Sequence, residues 1–490
     1  MKTFFLFLLY GVWMQAGIWQ EDSTKQAIVK IYTVSKVPNY QEPWNSSMRS
    51  STGSGAIIEG NRILTNAHVV ANHTFIEVER YGQRKRYIAK VKFVSHQADL
   101  AILEVKERAF FQGVHPLSFG TLPQIEQKIV VYGYPMGGST LSATIGVVSR
   151  IEHHRYAHSG ELFLAIQVDA AVNPGNSGGP ALAEGKIIGV VMQVITKSQN
   201  IGYLVPVMMV KHFLKDIEDG KCDGFADLGL TTQQMENPAL RHYYHMDENT
   251  TGKLIAEIVY NSSLKGSVKK GDILTAVDGH KIENDGTIAF RPHEYTNFNY
   301  YIDKYQMYHS VTLDIFRKGE KIRVDANLTH TADDMLLVKT MRYDKMPRYY
   351  IYGGYVFSPL TRNLLLSTKR NRLALSYFAT QWPTEKKKEV VVLLKVLASD
   401  MSRGNNGMGM WPIETIDGET FDSFDTFFKK LTQAKGKYVV LEDRDGIRVV
   451  IDTKEAKQKQ KEILQKYNIE YDRSVDLRKR VLQTDETKQN

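Results

Sequence analysis

The chain has 490 residues, of which 42% are hydrophobic and 10% aromatic, a composition that excludes a disordered polymer and predicts about three domains. The formal net charge is +9, but basic and acidic residues are interleaved, so no basic block indicates binding to nucleic acid or to a membrane surface. The single cysteine, Cys222, excludes an internal disulfide.

The N-terminal residues 1–17 have the pattern of a signal peptide. Lys2 supplies a positive charge, residues 4–14 are almost continuously apolar, and Ala16 and Gly17 are small. The apolar run is shorter than a typical transmembrane helix. A cleaved signal peptide is therefore the favoured interpretation. An uncleaved membrane anchor is the alternative, because one position of the cleavage motif holds a large residue.

Residues 26–206 show the pattern of an all-β domain. Short apolar or alternating runs are separated by Gly, Asn and Pro, a spacing typical of a sandwich or barrel. We expect strands in five of these runs, at residues 27–34, 55–58, 129–132, 162–168 and 187–194. An amphipathic helix is predicted to follow at residues 208–218 and to end at Gly220.

Three segments of this domain carry the residues of a candidate catalytic triad. His68 interrupts the apolar run at 63–70, and Asp99 opens an apolar strand. Ser177 lies in the sequence NPGNSGGP at residues 173–180, where the glycines allow several N–H groups to point at one spot. Each residue alone has an ordinary structural explanation. Together they occur in the chain order of chymotrypsin-type double β-barrels, which predicts nucleophilic catalysis by the serine.

The same segments resemble the HtrA/Deg family of serine proteases. The matching motif positions are residues 65–70, 99–103, 175–180 and 201–206. The resemblance implies that His68 is the general base, Asp99 its orienting residue and Ser177 the nucleophile. It also implies that the N–H groups of Gly175, Asn176 and Ser177 form the oxyanion hole.

A second domain is predicted to begin near residue 222. Leu228, Gly229 and Leu230 precede a short helical pattern over 234–243 and a strand over 253–259. This run resembles the first PDZ domain of HtrA/Deg proteases. Such a loop would offer backbone N–H groups to the C-terminal carboxylate of a peptide that adds to a sheet edge. The alternative is that the three residues form only a turn where the domain starts.

Residues 285–291 and 352–361 narrow the resemblance to the plant-type branch of the Deg family. That branch carries a second, divergent PDZ-like domain, and its further strands are expected at residues 389–397, 415–419 and 437–441. Because no second Leu-Gly-Leu sequence precedes it, we predict a docking or assembly role. The charged residues from 454 onward are predicted to form a solvated helix and a frayed end.

The predicted protein is therefore mainly β, with a chymotrypsin-like double β-barrel followed by two PDZ-type domains. The expected segments are a signal peptide at 1–17, a trypsin-like serine protease domain at 18–220, a PDZ domain at 222–333, a second PDZ-like domain at 334–453 and a charged C-terminal tail at 454–490.

One histidine cluster could suggest a metal site. His153, His154 and His158 occur close to Glu161, but no cysteine or fixed ligand pair accompanies them. We predict neither a metal nor a cofactor. The family resemblance instead implies that residues 151–161 form the loop that senses a bound peptide and orders the oxyanion hole, with Arg155 as the sensor.

The predicted function is ATP-independent proteolysis of misfolded or unfolded exported proteins, because the chain contains no P-loop. Such an activity belongs to protein quality control and the stress response. The resemblance implies a homo-oligomer, either a trimer or a multiple of trimers. The N-terminus differs from the transit peptides of plant members, so a bacterial periplasm is the expected location. The alternative function is a chaperone or client-sequestering scaffold with latent protease activity.

Overall fold

The computed structural model describes residues 23–135, 140–194 and 201–478, with only the backbone described at 193 and 194. The predicted signal peptide lies outside these residues. Two compact units make up the chain: the first contains residues up to 35, 48–257 and 266–331, and the second contains 36–47, 258–265 and everything from 332. Within the described ranges, no helix is long and apolar enough to cross a membrane.

The first unit begins with a closed barrel of six strands. They are β1 (Ile28–Pro38), β2 (Ser46–Ile58), β3 (Arg62–Thr65), β4 (His73–Arg80), β5 (Arg86–Ser95) and β6 (Leu100–Val105). Their order around the barrel is β1-β2-β3-β6-β5-β4. Inward-facing side chains such as Ile31, Ile57 and Leu103 are fully buried, which is how a small barrel fills its interior. A one-turn helix, α1 (Ala67–Val70), follows β3, and a 3₁₀ turn at Arg108–Phe111 follows β6.

A second closed barrel of six strands follows. They are β7 (Lys128–Gly133), β8 (Ser142–Arg155), β9 (Leu162–Val168), β10 (Pro180–Ala183), β11 (Lys186–Val194) and β12 (Gly202–Pro206), in the order β10-β11-β12-β9-β8-β7. Helix α2 (Val207–Asp216) then buries Met209 and Phe213 and ends in a 3₁₀ turn, Ile217–Asp219. Gly220 terminates it at φ +90°, so the predicted helix and its stop are confirmed. The predicted double β-barrel is also confirmed.

The rest of the first unit is a smaller β domain. Its strands are β13 (Leu230–Gln234), β14 (Lys253–Ile258), β15 (Ile273–Val277), β16 (His280–Lys281), β17 (Thr287–Arg291), β18 (Glu294–Asn297), β19 (Ser310–Arg317) and β20 (Glu320–Asn327). One sheet has the order β13-β14-β15-β19-β20 with β16 paired to β15, and β17 and β18 form a hairpin. Two short helices, α3 (Pro238–Tyr243) and α4 (Asn299–Ile302), complete it.

The predicted helix over 234–243 is wrong in its first half. Residues as far as Gln234 form strand β13, and α3 begins only at Pro238. Proline is favoured in the first turn of a helix because its missing N–H has no partner there. The Asn237 side chain accepts from the Leu240 N–H at 3.1 Å and caps the helix.

The described part of the second unit contains two four-stranded sheets, four complete helices and helical residues at 475–478. The strands are β21 (Tyr350–Tyr352), β22 (Tyr355–Pro359), β23 (Val391–Val396), β24 (Trp411–Ile413), β25 (Thr415–Ile416), β26 (Glu419–Thr420), β27 (Tyr438–Glu442) and β28 (Arg448–Asp452). The helices are α5 (Arg362–Ser367), α6 (Arg372–Phe378), α7 (Phe424–Gln433) and α8 (Thr453–Lys466), with 3₁₀ turns at Ala332–Met335 and Asp400–Ser402. The sheet orders are β21-β22-β23-β24 and β26-β25-β27-β28.

Two predictions for this unit need correction. The single strand over 415–419 is a tight hairpin, because Asp417 and Gly418 both have positive φ, 53° and 78°, as a two-residue type I′ turn requires. The segment from 454 is not a solvated tail as far as it is described. Ile463 and Leu477 are 3% and 1% exposed, so α8 and the residues after it are part of the core of the unit.

Candidate active site

The candidate nucleophile Ser177 lies in the loop between β9 and β10. In this loop the Asn176 N–H donates to the Asn173 carbonyl at 3.0 Å and closes a four-residue turn. Gly175, the third residue of the turn, has φ +100°, which a type II turn requires, and Pro174 occupies the position that favours proline. The sequence therefore dictates the backbone conformation immediately before Ser177.

Neither the N–H of Gly175 nor the N–H of Ser177 has a hydrogen-bond partner among the described residues. Gly175 is buried and Ser177 is partly exposed. Free N–H groups two residues apart are suited to bind the oxygen of a tetrahedral intermediate. The predicted contribution of Asn176 must be corrected, because its N–H is already donated to Asn173.

The two glycines after Ser177 are required by close packing. A Cβ atom on Gly178, whose φ is +84°, would overlap the Ser54 carbonyl oxygen and the Thr65 hydroxyl. On Gly179 it would overlap the Tyr132 carbonyl oxygen. Because backbone atoms cannot move aside as a flexible side chain can, only glycine fits at both positions.

His68 and Asp99 are brought together by the first barrel. His68 is in helix α1, directly after β3, and Asp99 directly precedes β6, the strand paired with β3. The His68 Nδ1 atom lies 2.7 Å from Asp99 Oδ2, and the His68 backbone N–H donates to Asp99 Oδ1 at 2.9 Å. Both carboxylate oxygens therefore face His68. With a proton on Nδ1, the Nε2 atom is left as the proton acceptor.

Asp99 is held in an unusual backbone conformation. Its φ is +55°, in the left-handed region that non-glycine residues seldom occupy, although Asp and Asn do so more readily than most. The side chain is fully buried, and the Asn66 side-chain amide donates to the Asp99 carbonyl at 2.8 Å. Strained residues of this kind cluster at functional sites, where the surrounding structure maintains them.

The electrostatics of the pair favour an ionised carboxylate and a basic imidazole. Burial lowers the pKa of His68, but the charge of Asp99 and the hydrogen bond to it outweigh burial, so the pKa of His68 is raised above 6.5. Burial raises the pKa of Asp99, but the interactions with His68 outweigh it and the pKa is lowered. Asp99 therefore remains ionised throughout the range in which His68 titrates.

These shifts predict the pH dependence of activity. A general base must be neutral, so kcat/KM for a small uncharged substrate is expected to rise with pH, with its lower midpoint above 6.5 because the pKa of His68 is raised. The measurement is kcat/KM from pH 5 to 9 at constant ionic strength, with protein stability followed in parallel. A midpoint clearly below the ordinary histidine value would contradict this assignment.

Ser177 Oγ and His68 Nε2 are not joined by a hydrogen bond in the described part of the chain. Proton transfer between them is the step that the predicted triad requires. In unliganded enzymes this contact is often long and tightens only when substrate binds. The site thus has an assembled base and orienting residue, while the contact from base to nucleophile is open.

Residues 151–161 were expected to form one loop, but only 156–161 do so. Strand β8 continues to Arg155, and the remaining residues form the turn of the β8–β9 hairpin. The Arg155 guanidinium donates to the Gly160 carbonyl in this turn. His158 is buried, with its Nε2 atom 2.9 Å from His96 Nδ1 and its ring centroid 5.9 Å from that of His68. The hairpin turn therefore packs beside the His68–Asp99 pair.

A buried polar cluster joins the second barrel to the smaller β domain. His153 contacts Thr296 Oγ1 through Nδ1 at 2.7 Å and Asp303 Oδ2 through Nε2 at 3.4 Å. His212 Nδ1 lies 2.9 Å from the Asp303 carbonyl. Burial raises the pKa of Asp303 and lowers that of His212. This connection could not be predicted from the sequence, because Thr296 and Asp303 lie in no recognisable motif.

In the predicted peptide-binding loop at residues 228–230, one backbone N–H group is already hydrogen-bonded within the chain. Gly229 has φ +66°, and its N–H donates to Asp227 Oδ1 at 2.7 Å, in the geometry of an Asx turn. Leu228 is buried and Leu230 begins strand β13. In this conformation a carboxylate of the chain itself therefore occupies the Gly229 N–H, which was expected to be free for a peptide carboxylate.

Two family models match the chain. One, described as a trypsin-like peptidase domain, matches residues 53–190, and the other, described as a PDZ domain, matches residues 338–476. The first contains His68, Asp99 and Ser177. The second falls within the second unit and extends beyond α8, in agreement with the packing of that segment into the core.

Similar proteins are known from Arabidopsis thaliana. The chain is 40% identical over 385 residues to Protease Do-like 4, mitochondrial, covering 78% of this chain and 72% of the relative. It is 35% identical over 462 residues to Protease Do-like 2, chloroplastic, covering 92% and 75%. Among solved structures, the HtrA-type protease AlgW with tripeptide shares the fold at 22% identity and a TM-score of 0.51, covering 63% of this chain and 95% of that one.

Proposed function

Because this chain belongs to the HtrA/Deg (Do-like) family of serine proteases, and is a serine endopeptidase, we propose that it cleaves unfolded or misfolded polypeptides through an acyl-enzyme on Ser177. One observation carries the assignment of the site. Both oxygens of the buried Asp99 carboxylate face His68, one of them 2.7 Å from the imidazole Nδ1. This arrangement fixes the tautomer in which Nε2 can accept a proton.

Each residue of the site has a defined role in the proposed mechanism. His68 Nε2 removes the proton of Ser177 as Oγ attacks the scissile carbonyl carbon, and the imidazolium then protonates the leaving amine. Asp99 stabilises the imidazolium without taking its proton. The N–H groups of Gly175 and Ser177 bind the oxyanion. A water molecule, activated by His68, then hydrolyses the ester and regenerates the serine.

The proposed substrates are chains that are already unfolded, since no P-loop in the sequence would couple ATP hydrolysis to unfolding. The second candidate is a chaperone or client-sequestering scaffold with latent proteolysis. One observation favours latency in this conformation: the Asp227 carboxylate accepts the Gly229 N–H, where a peptide carboxylate is proposed to bind. In both candidate functions the protein binds client polypeptides.

Regulation and assembly are proposed from the family resemblance. A peptide C-terminus would bind at Leu228, Gly229 and Leu230 after displacing the Asp227 carboxylate. Arg155 would then relay its presence to the loop between β9 and β10 that carries Gly175 and Ser177, here called the oxyanion loop. A trimer, or a multiple of trimers, is the proposed assembly. Light scattering with and without substrate tests the assembly, and a fully active monodisperse monomer would contradict it.

The proposed location depends on residues 1–17, which we interpret as a targeting segment. The names of two plant relatives place those proteins in mitochondria and chloroplasts. These names support an organelle as the destination at least as well as the bacterial periplasm that the segment alone suggested. The test is to fuse the protein, with and without residues 1–17, to a fluorescent protein and to express both fusions in a eukaryotic and a bacterial host. The location of the fluorescence then distinguishes an organelle from the periplasm.

The function is tested by the turnover of unfolded casein. The wild type is expected to release peptides without ATP, whereas Ser177→Ala should release none above background. A folded protein of similar size is the substrate control and should remain intact. Equal release by both proteins would contradict the protease assignment. Suppression of client aggregation without peptide release by either protein would favour the chaperone instead.

A further inference from the structure

Ser54, a residue outside the predicted triad, contacts the oxyanion loop from the first barrel. It lies in strand β2, within the sequence Gly-Ser-Gly at residues 53–55, and is fully buried. Its hydroxyl donates to the Gly175 carbonyl at 2.7 Å and accepts from the Tyr134 N–H at 2.8 Å. Both hydrogen-bonding functions of the hydroxyl are therefore used.

The backbone of Ser54 contacts the same loop. Its N–H donates to the Ser177 carbonyl at 2.9 Å, and its own carbonyl accepts from the Thr65 hydroxyl at 2.7 Å. Ser54 thus binds the carbonyl groups of Gly175 and Ser177, the two residues whose N–H groups are free for an oxyanion. Thr65 in turn ties Ser54 to strand β3, which leads to His68.

The Ser54 hydroxyl contacts the most flexible residue of the loop, Gly175. Glycine has a wider conformational range than other residue types, and the positive φ of Gly175 sets the direction of its N–H. The peptide between Gly175 and Asn176 is bonded at both ends, its carbonyl by Ser54 Oγ and its N–H by the Asn173 carbonyl. Without the hydroxyl, only the turn bond would hold this peptide.

We propose that Ser54 is a positioning residue for the proteolytic reaction, whose hydroxyl holds Gly175 so that the oxyanion N–H groups point at the reacting carbonyl. The inference rests on the proposed acyl-enzyme function, and Ser54 touches neither substrate nor the transferred proton in it. Its hydroxyl acts on the transition state through Gly175. Removal should therefore lower kcat and leave KM nearly unchanged.

The surroundings of Ser54 determine which variants are informative. A Cβ atom on Gly133 would lie 3.0 Å from Ser54 Oγ and 2.8 Å from Asn176 Oδ1, so there is little spare volume at the site. Ser54→Ala removes only the hydroxyl oxygen, and Ser54→Cys keeps a side-chain donor, which is weaker and carried on a somewhat larger atom. Ser35→Ala is the matched control, because Ser35 is also a buried hydroxyl of the first barrel, bonded to the Ala71 carbonyl at 3.0 Å.

The experiment combines casein kinetics with the rate of covalent modification by a fluorophosphonate, which forms a P–O bond to the serine, expels fluoride and develops an oxyanion. Loss of a complete oxyanion donor costs about 10²–10³-fold in kcat. For Ser54→Ala, which displaces donors without deleting them, we expect kcat and the modification rate to fall by roughly 10- to 100-fold, with KM within about twofold. Ser54→Cys should be intermediate and Ser35→Ala unchanged.

Thermal unfolding of each variant shows that the folded protein is being assayed. Wild-type rates in folded Ser54→Ala, an effect confined to KM, or an equal loss in Ser35→Ala would each overturn the inference. Absence of Ser177-dependent cleavage in the wild type would instead overturn the proposed function. If Ser54→Ala does not fold, the same criteria apply to Ser54→Cys.

Discussion

Replacement of Ser177 or of His68 by alanine is expected to lower kcat on the order of 10⁴-fold or more, and the double variant should lose little beyond either single one. The reason is that the two side chains perform one step, the transfer of the Oγ proton as Oγ attacks. Once either partner is absent, the other has no role in that step. The measurement is casein turnover by the wild type, both single variants and the double variant.

The control for these variants is His309→Ala, since His309 is an exposed histidine of the smaller β domain. It should retain wild-type turnover. Losses that multiply in the double variant would show that Ser177 and His68 act in separate steps. That outcome would contradict the proposed mechanism even if each single variant were inactive.

Asp99→Asn is expected to lower kcat by about 10⁴-fold, although it changes only one atom type. Both Asp99 oxygens now face N–H groups of His68, one on the backbone and one on the ring. Asparagine has a single acceptor oxygen, so its NH₂ group would oppose one of them. If the NH₂ group faces the ring, Nδ1 must lose its proton and Nε2 must carry one, and Nε2 can then no longer accept the proton of Ser177.

The chain offers a close control in Asp278→Asn. Asp278 also has a positive φ, 48°, and both its oxygens accept hydrogen bonds, from the Thr312 N–H at 2.9 Å and from the Tyr305 hydroxyl at 2.5 Å. It lies in the smaller β domain rather than beside His68. Turnover by Asp278→Asn should stay within about twofold of wild type, and a comparable collapse in both variants would indicate a general folding defect.

The parts of this protein that sequence could predict are those with local signals. Strand β9 is predicted at its observed limits because residues 162–168 form a short, mostly apolar run. Helix α2 was recognised from its apolar face and from Gly220. The triad candidates could be found because His68, Asp99 and Ser177 each lie in a short motif and occur in a diagnostic order.

Long-range contacts could not be predicted in this way. The hydroxyl of Ser54 meets Gly175 across 121 positions of the chain, and His153 meets Asp303 across 150. Such contacts depend on how barrels and domains pack against each other. The residue pattern of a single strand contains no information about that packing.

Some local predictions failed because a short polar contact decided the outcome. The Gly229 N–H was expected to be free, but the carboxylate of Asp227, two residues earlier, accepts a hydrogen bond from it. The N–H of Asn176 was assigned to the oxyanion hole, but the type II turn uses it for the Asn173 carbonyl. In both cases the local sequence does not indicate which N–H groups are occupied by acceptors of the chain itself.

The most direct test of the central claim is to map where a fluorophosphonate binds covalently. Mass spectrometry of the digested wild-type protein should show one phosphonyl adduct per chain, on Ser177. Modification should become undetectable on the same timescale in His68→Ala, because the nucleophile is then not activated. An adduct on a different serine, or equally fast labelling of Ser177 without His68, would contradict the assignment of Ser177 as a nucleophile activated by His68 and Asp99.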